Sequence, residues 1–153
     1  MKLSGALQIN HNTLRIRSFT LGGQDFRVRV PLASEMEAIT KAVDEVDATA
    51  KHAEMMQPLL DKKDEIESDA IVFKDDNAIV DGNSIKELAI LTAKTEERIT
   101  QMVRLLVPAD NEFDMSKIQY EDINSEFPFA VQLELMKKIS EVISPGYEEI
   151  RKN

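Results

Sequence analysis

Cysteine and tryptophan are both missing from the 153 residues, and histidine occurs only as His11 and His52. Without cysteine there can be no disulfide, no thiolate nucleophile and no cysteine zinc site, which is compatible with a reducing compartment, and the cytoplasm is the default expectation. Neither histidine has a second one a helical turn away, and no G-x-S-x-G elbow, G-x-G-x-x-G turn or Walker spacing occurs, so nucleophilic and nucleotide-dependent catalysis lack their parts. Aromatic residues make up 5% of the chain, so a core must be filled by aliphatic side chains and the seven methionines, which favours helices. No apolar run reaches the roughly 18 residues of a membrane span, and the start, "MKLSGALQINHN", has no signal-peptide pattern. The net charge of -9 repels phosphate backbones, so neither nucleic acid nor a membrane is an expected partner.

With 42% hydrophobic residues and this length, one domain over 1–153 is expected. The expected fold is mainly α with a small N-terminal β-hairpin, an α+β arrangement with three main helices. Residues 14–30 alternate: Leu14, Ile16, Phe26, Val28 and Val30 against Arg15, Arg17, Arg27 and Arg29, with Gly22-Gly23 between the runs. A two-residue turn at Gly22-Gly23 would set Arg17 opposite Val28. A three-residue loop including Gln24 sets Ile16 opposite Val30, Thr20 opposite Phe26 and Arg17 opposite Arg29, and is the expected register because it sorts arginines from apolar residues. Pro31 closes this element, and Ser34 with Glu37 is read as a capping box for a helix over 35–57, ended or kinked at Pro58. "DAIVFKDDNAIVDGNS" suggests a second hairpin or an ordered loop. Ser84 and Glu87 open a helix over 85–107, and Pro128 opens one over 128–144 with a broad apolar face. Between them, "ADNEFDMSKIQYEDINSEF" reads as a polar surface connection with apolar anchors at Phe113, Met115, Ile118, Tyr120 and Ile123.

What remains offers little that could carry chemistry. His52 sits on a charged helix and reads as partly solvated rather than as a ligand. Aligning Gly82 with the glycine of a calcium loop puts Ile79 at a ligand position and Leu88 where a bidentate glutamate belongs, so "KDDNAIVDGNS" is no such loop. No catalytic residue, cofactor site or metal site emerges, and the expectation is a non-enzyme. Binding surfaces are better supplied. Leu133, Met136, Ile139, Val142 and Ile143 line one face of the last helix and are candidate partner contacts, in competition with burial in the chain's own core. Arg15, Arg17, Arg27 and Arg29 form a second candidate, gripping an acidic surface or else pairing with the chain's own surplus acid.

"FTLGGQDFRVRVPLASEMEAI", the two capped helices and the ending "FPFAVQLELMKKISEVISPGYEEIRKN" together resemble the tail assembly chaperones of long-tailed bacteriophages. The resemblance implies a helical protein without catalytic activity that binds the tape measure protein, keeps it soluble and promotes assembly of the tail tube around it. It implies contact with the tail tube protein and work in the host cytoplasm, outside the mature virion. Such chaperones are commonly made in two lengths by a ribosomal shift, and Arg151-Lys152-Asn153 can be encoded by a slippery A-AAA-AAC run, so the chain would be the short product. The alternative is a helical adaptor or a structural protein that self-associates as a homo-oligomer.

Overall fold

The computed structural model describes residues 2–144, and the "PGYEEIRKN" that ends the stretch carrying the resemblance lies outside them. In chain order the elements are α1 (Leu3–Leu7), α2 (His11–Leu14), β1 (Ile16–Leu21), β2 (Gln24–Arg29), α3 (Ala33–Asp44), α4 (Thr49–Asp61), α5 (Lys63–Ile66), β3 (Ile71–Lys74), β4 (Asn77–Val80), β5 (Asn83–Ser84), α6 (Ile85–Val103), a 3-10 turn (Met115–Lys117), α7 (Tyr120–Glu126) and α8 (Phe129–Ile143). This is the mainly helical α+β fold the composition suggests. The chain divides into two compact units: one holds residues up to Ile39 and those from Arg98 onward, the other Thr40–Glu97.

In the first unit β1 and β2 pair antiparallel around a two-residue turn, with Leu21 opposite Gln24, Phe19 opposite Phe26 and Arg17 opposite Val28. This corrects the three-residue loop. Gly22 and Gly23 both have positive φ, +59° and +75°, the combination of a tight turn whose twist matches the strands. The faces are decided by Phe19 and Leu21 rather than by Ile16, because Leu14 already belongs to α2 and the apolar parity changes along the strand. Phe19 and Phe26 stack across the ladder with centroids 5.1 Å apart. Beyond α6 the chain straightens: the Arg29 N–H donates to the Leu105 carbonyl and the Val107 N–H to the Arg27 carbonyl, both at 2.8 Å. The helix expected to reach residue 107 therefore ends at Val103, and its last residues lie along β2, with Val28 bridged to Leu106.

The core of this unit gathers Val28, Met102, Leu105 and Ile139, flanked by Phe19, Met36, Ile39, Met136, Val142 and Ile143. A second cluster is built on Ile99, Val103 and Ile123, and Met136 packs on both. α8 matches the expected 128–144 helix, since Pro128 precedes its first residue, where a missing N–H costs nothing. Its Gln132 is fully buried, accepting from the Tyr120 hydroxyl at 2.7 Å and donating to Asn124 Oδ1 and the Phe127 carbonyl, which ties α8 to α7.

The helix expected over 35–57 is two helices. α3 ends at Asp44, and the Asp47 carboxylate takes hydrogen bonds from the Thr49 N–H at 2.9 Å and hydroxyl at 2.6 Å, so α4 restarts at Thr49. A local acceptor has won over the apolar stripe that continues through the break. α4 runs through Pro58 to Asp61; the proline forfeits one internal bond near the helix end, where Leu59 still packs on the core. The start of α3 also differs: Ser34 lies inside the helix, and Glu35 reaches back to the Leu32 N–H.

In the second unit β3, β4 and β5 form an antiparallel sheet in that order. "DAIVFKDDNAIVDGNS" is thus a hairpin, turning on Asp75 and Asp76, both with positive φ. Met56, Ala78 and Ile85 form its core, with Met55, Leu59, Phe73 and Val80 packed around them. Adjacent Met55 and Met56 divide as one stripe requires, the second buried and the first half-buried. Lys51 pairs with Glu96 at 3.0 Å and with Glu54 at 3.3 Å. Desolvation alone would lower the Lys51 pKa, but the hydrogen bond and charge of Glu96, with Glu54 behind it, raise it.

Candidate functional site

The segment between α6 and α8, expected to be a polar surface connection, folds into an apolar groove in the first unit. Its shape comes from local polar bonds. Asp114 accepts from the Ser116 N–H at 3.0 Å and hydroxyl at 2.6 Å, capping the 3-10 turn. Those bonds from Ser116 hold its carboxyl below the usual aspartate range. Arg104, in the turn after α6, donates through Nε and Nη2 to the Ile118 carbonyl at 2.9 and 2.7 Å, which pins the following chain. Gln119 and Asp122 then form the capping box that opens α7.

These fixed points leave Phe113, Met115, Ile118, Ile123 and Phe127 facing Val103 and Leu106 across a cleft of about 670 Å³. That volume falls in the range of about 300–1,000 Å³ usual for ligand pockets. Glu112, Asp114, Asp122 and Glu126 line it too, against a single cation, Lys117. Ile123 and Val103 form its buried floor, while Phe113 remains 52% exposed. The groove is therefore greasy inside and acidic at its edges, an arrangement that suits an amphipathic segment bearing positive charge.

The candidate contacts on the last helix do not form that surface. Ile139 is fully buried, and Met136, Val142 and Ile143, each half-buried, pack against the same core, so this ridge contributes to the interior of the unit. Leu133 packs on the neighbouring cluster. A fifteen-residue amphipathic helix is a ready source of core area, and burial claims Ile139 outright.

The arginines are also separated. Arg15 and Arg29 converge on Glu35, each at 2.6 Å, one on either carboxylate oxygen. The Arg29 hydrogen bond is the main reason the Glu35 carboxyl titrates below its ordinary value; burial opposes it, and the Leu32 N–H and Arg15 assist. Arg17 lies across from Val28, not Arg29, and donates to the Leu14 carbonyl at 2.6 Å, while Arg27 is exposed. The chain's own acid thus neutralises half of the set.

A second hollow, of about 600 Å³ in the other unit, is lined by Asp44, Asp47, Thr49, His52, Asp75, Asp76, Lys86 and Lys94. His52 is half-buried with Nε2 3.3 Å from Asn77 Oδ1. Among the described residues no group of three or more histidines or carboxylates is placed to hold a metal ion. No helix there is long and apolar enough to cross a membrane.

Phe127 and the buried Gln132 were not singled out in the sequence, and the groove as a unit was not anticipated. Its trace is the apolar series Phe113, Met115, Ile118, Tyr120, Ile123, which recurs every two or three residues through an otherwise polar stretch. No protein-family model, curated protein or solved structure matches the chain.

Proposed function

We propose that this protein is a tail assembly chaperone of a long-tailed bacteriophage, which binds the tape measure protein, keeps it soluble in the host cytoplasm and promotes tail tube assembly without catalysing a reaction. The residue pattern at the first hairpin and the last helix supports the family. The observation that carries the binding role is the groove of Phe113, Met115, Ile118 and Phe127 with its acidic edge. A tape measure is a very long helical chain with much apolar surface before the tube encloses it; a groove that covers part of one helix face, on a carrier of net charge -9, limits aggregation of the pair.

Co-expression with a fragment of the tape measure protein from the same genome tests this. The soluble fraction of the fragment is expected to rise with the wild-type chain and to fall back with Phe113→Asp, a half-exposed position whose change leaves the core alone. A fragment that stays insoluble beside the wild-type chain sinks the proposal. The second reading, a self-associating helical protein, is favoured by the exposed leucines of α1 and α2.

A further inference from the structure

The groove of the first unit sets its charges beside its apolar side chains in a regular way. On α7, Asp122 lies one turn before Glu126 and Ile123 one turn before Phe127, whose N–H donates to the Ile123 carbonyl at 2.9 Å. An acidic row therefore runs next to an apolar one. In the segment before α7, Glu112 and Asp114 alternate with Phe113 and Met115 and line the same cleft. All four carboxylates are exposed, and Lys117 is the single cation among the described residues that line it. Asp114 and Asp122 act as caps, but the groups they accept from are neutral and leave the charge in place. Glu112 and Glu126 have no side-chain partner among the described residues.

We infer that the groove takes an amphipathic helix of a partner chain whose apolar stripe is flanked by lysine or arginine, with the stripe on Phe113, Ile123 and Phe127 and the cations against Glu112, Asp122 and Glu126. The assignment rests on the groove being the client site and adds the sequence pattern a client segment must carry. A helix is the occupant because the rows one turn apart on α7 match residues one turn apart on a second helix, whereas α7, hydrogen-bonded within itself, offers no strand edge for β-addition. The sign of the flanking residues follows from charge. A stripe bordered by glutamate meets like charge twice, at the rim and in the net charge of -9. Since the carboxylates are in water, each pair adds little affinity by itself, and their main effect is to choose between segments.

Fluorescence anisotropy with the full chain and two synthetic helical peptides tests this. One peptide carries leucines at spacings of three and four with lysines beside them; its twin has glutamate for every lysine. The lysine peptide is expected to bind about tenfold or more tighter than the twin, and to loosen about fivefold with Glu112→Gln/Glu126→Gln, a change at exposed positions that leaves both caps intact. High salt is expected to weaken it as well. Asp75→Asn/Asp76→Asn removes the same charge from the other unit and is expected to leave binding unchanged. No binding, equal binding of the twins, indifference to Glu112→Gln/Glu126→Gln, or an equal loss with Asp75→Asn/Asp76→Asn overturns the inference. So does a groove closed by a second copy, seen as a wild-type oligomer that Phe113→Ser dissociates. The chaperone proposal fails separately: a tape measure fragment kept soluble alike by the wild type and by Glu112→Gln/Glu126→Gln upholds the chaperone and sinks the charge-flanked helix, whereas selection of the lysine peptide beside an insoluble fragment does the reverse.

Discussion

Glu35 is where several demands meet in one side chain. As the third residue of α3 it caps the helix through the Leu32 N–H, and its two oxygens hold Arg15 and Arg29 at the base of the hairpin. Its folded pKa is depressed, so the stability it contributes is full above the ordinary value of 4.5 and is lost as the pH falls through the lowered one. Glu35→Gln keeps the size but not the charge; denaturant titrations at neutral pH are expected to show a loss of about 1 kcal/mol, vanishing in acid once the wild-type carboxyl is protonated. Ile139 tests a different point. Fully buried, it should cost about 3 kcal/mol on truncation to alanine, and an unchanged unfolding midpoint would return α8 to the candidate binding surfaces. Gln132→Met removes the donor to the Phe127 carbonyl and the acceptor for Tyr120 at little change in volume. A loss of about 1 kcal/mol is expected in the same measurement, the usual net worth of such hydrogen bonds, because Tyr120 and Phe127 are only half-buried.

At the scale of elements, the second hairpin offers a gain rather than a loss. Asp75 and Asp76 both occupy the left-handed region at φ 50° and 59°, where a side chain is strained and glycine is not. Asp76→Gly is expected to raise the melting temperature, with a stabilisation of about 1 kcal/mol. What was legible in the sequence follows from the kind of signal each element carries. α8 was readable almost to the residue, because Pro128 marks its start and a dense apolar face fills its length. The middle helix was readable at its start, where the Ser84 hydroxyl meets the Glu87 N–H, but not at its end, since only the pairing of Leu105 and Val107 with β2 straightens the chain there. Periodicity misled between Val43 and Thr49, where apolar spacing continues while the Asp47 carboxylate recaps the backbone. In the first hairpin the register turned on whether Ile16 or Phe19 sets the parity, and only the turn geometry decides that. The groove was the least legible, as its walls come from three segments and its shape from bonds such as Arg104 to Ile118, which no local pattern announces.

For the whole molecule, the sign of the charge and the division into two units matter most. An overall charge of -9 with an acidic groove means that association with a basic segment should weaken as salt rises, and a binding isotherm at two ionic strengths checks it. The unit from Thr40 to Glu97 is one continuous stretch, whereas the other is assembled from the two ends of the chain. Val28 is completed by Leu105, Leu106 and Ile139, which leave the ribosome long after it. Synthesis therefore imposes an order: the inserted stretch can fold while the opening hairpin waits, edges unpaired, for its distant complement. Pulsed hydrogen exchange during refolding should find the β3–β4 amides protected before those of Arg29 and Val107. A chain truncated shortly after residue 97 and released would thus carry the continuous unit complete and the opening β-hairpin without its complement, a species that invites mispairing and that a cell would have to shield.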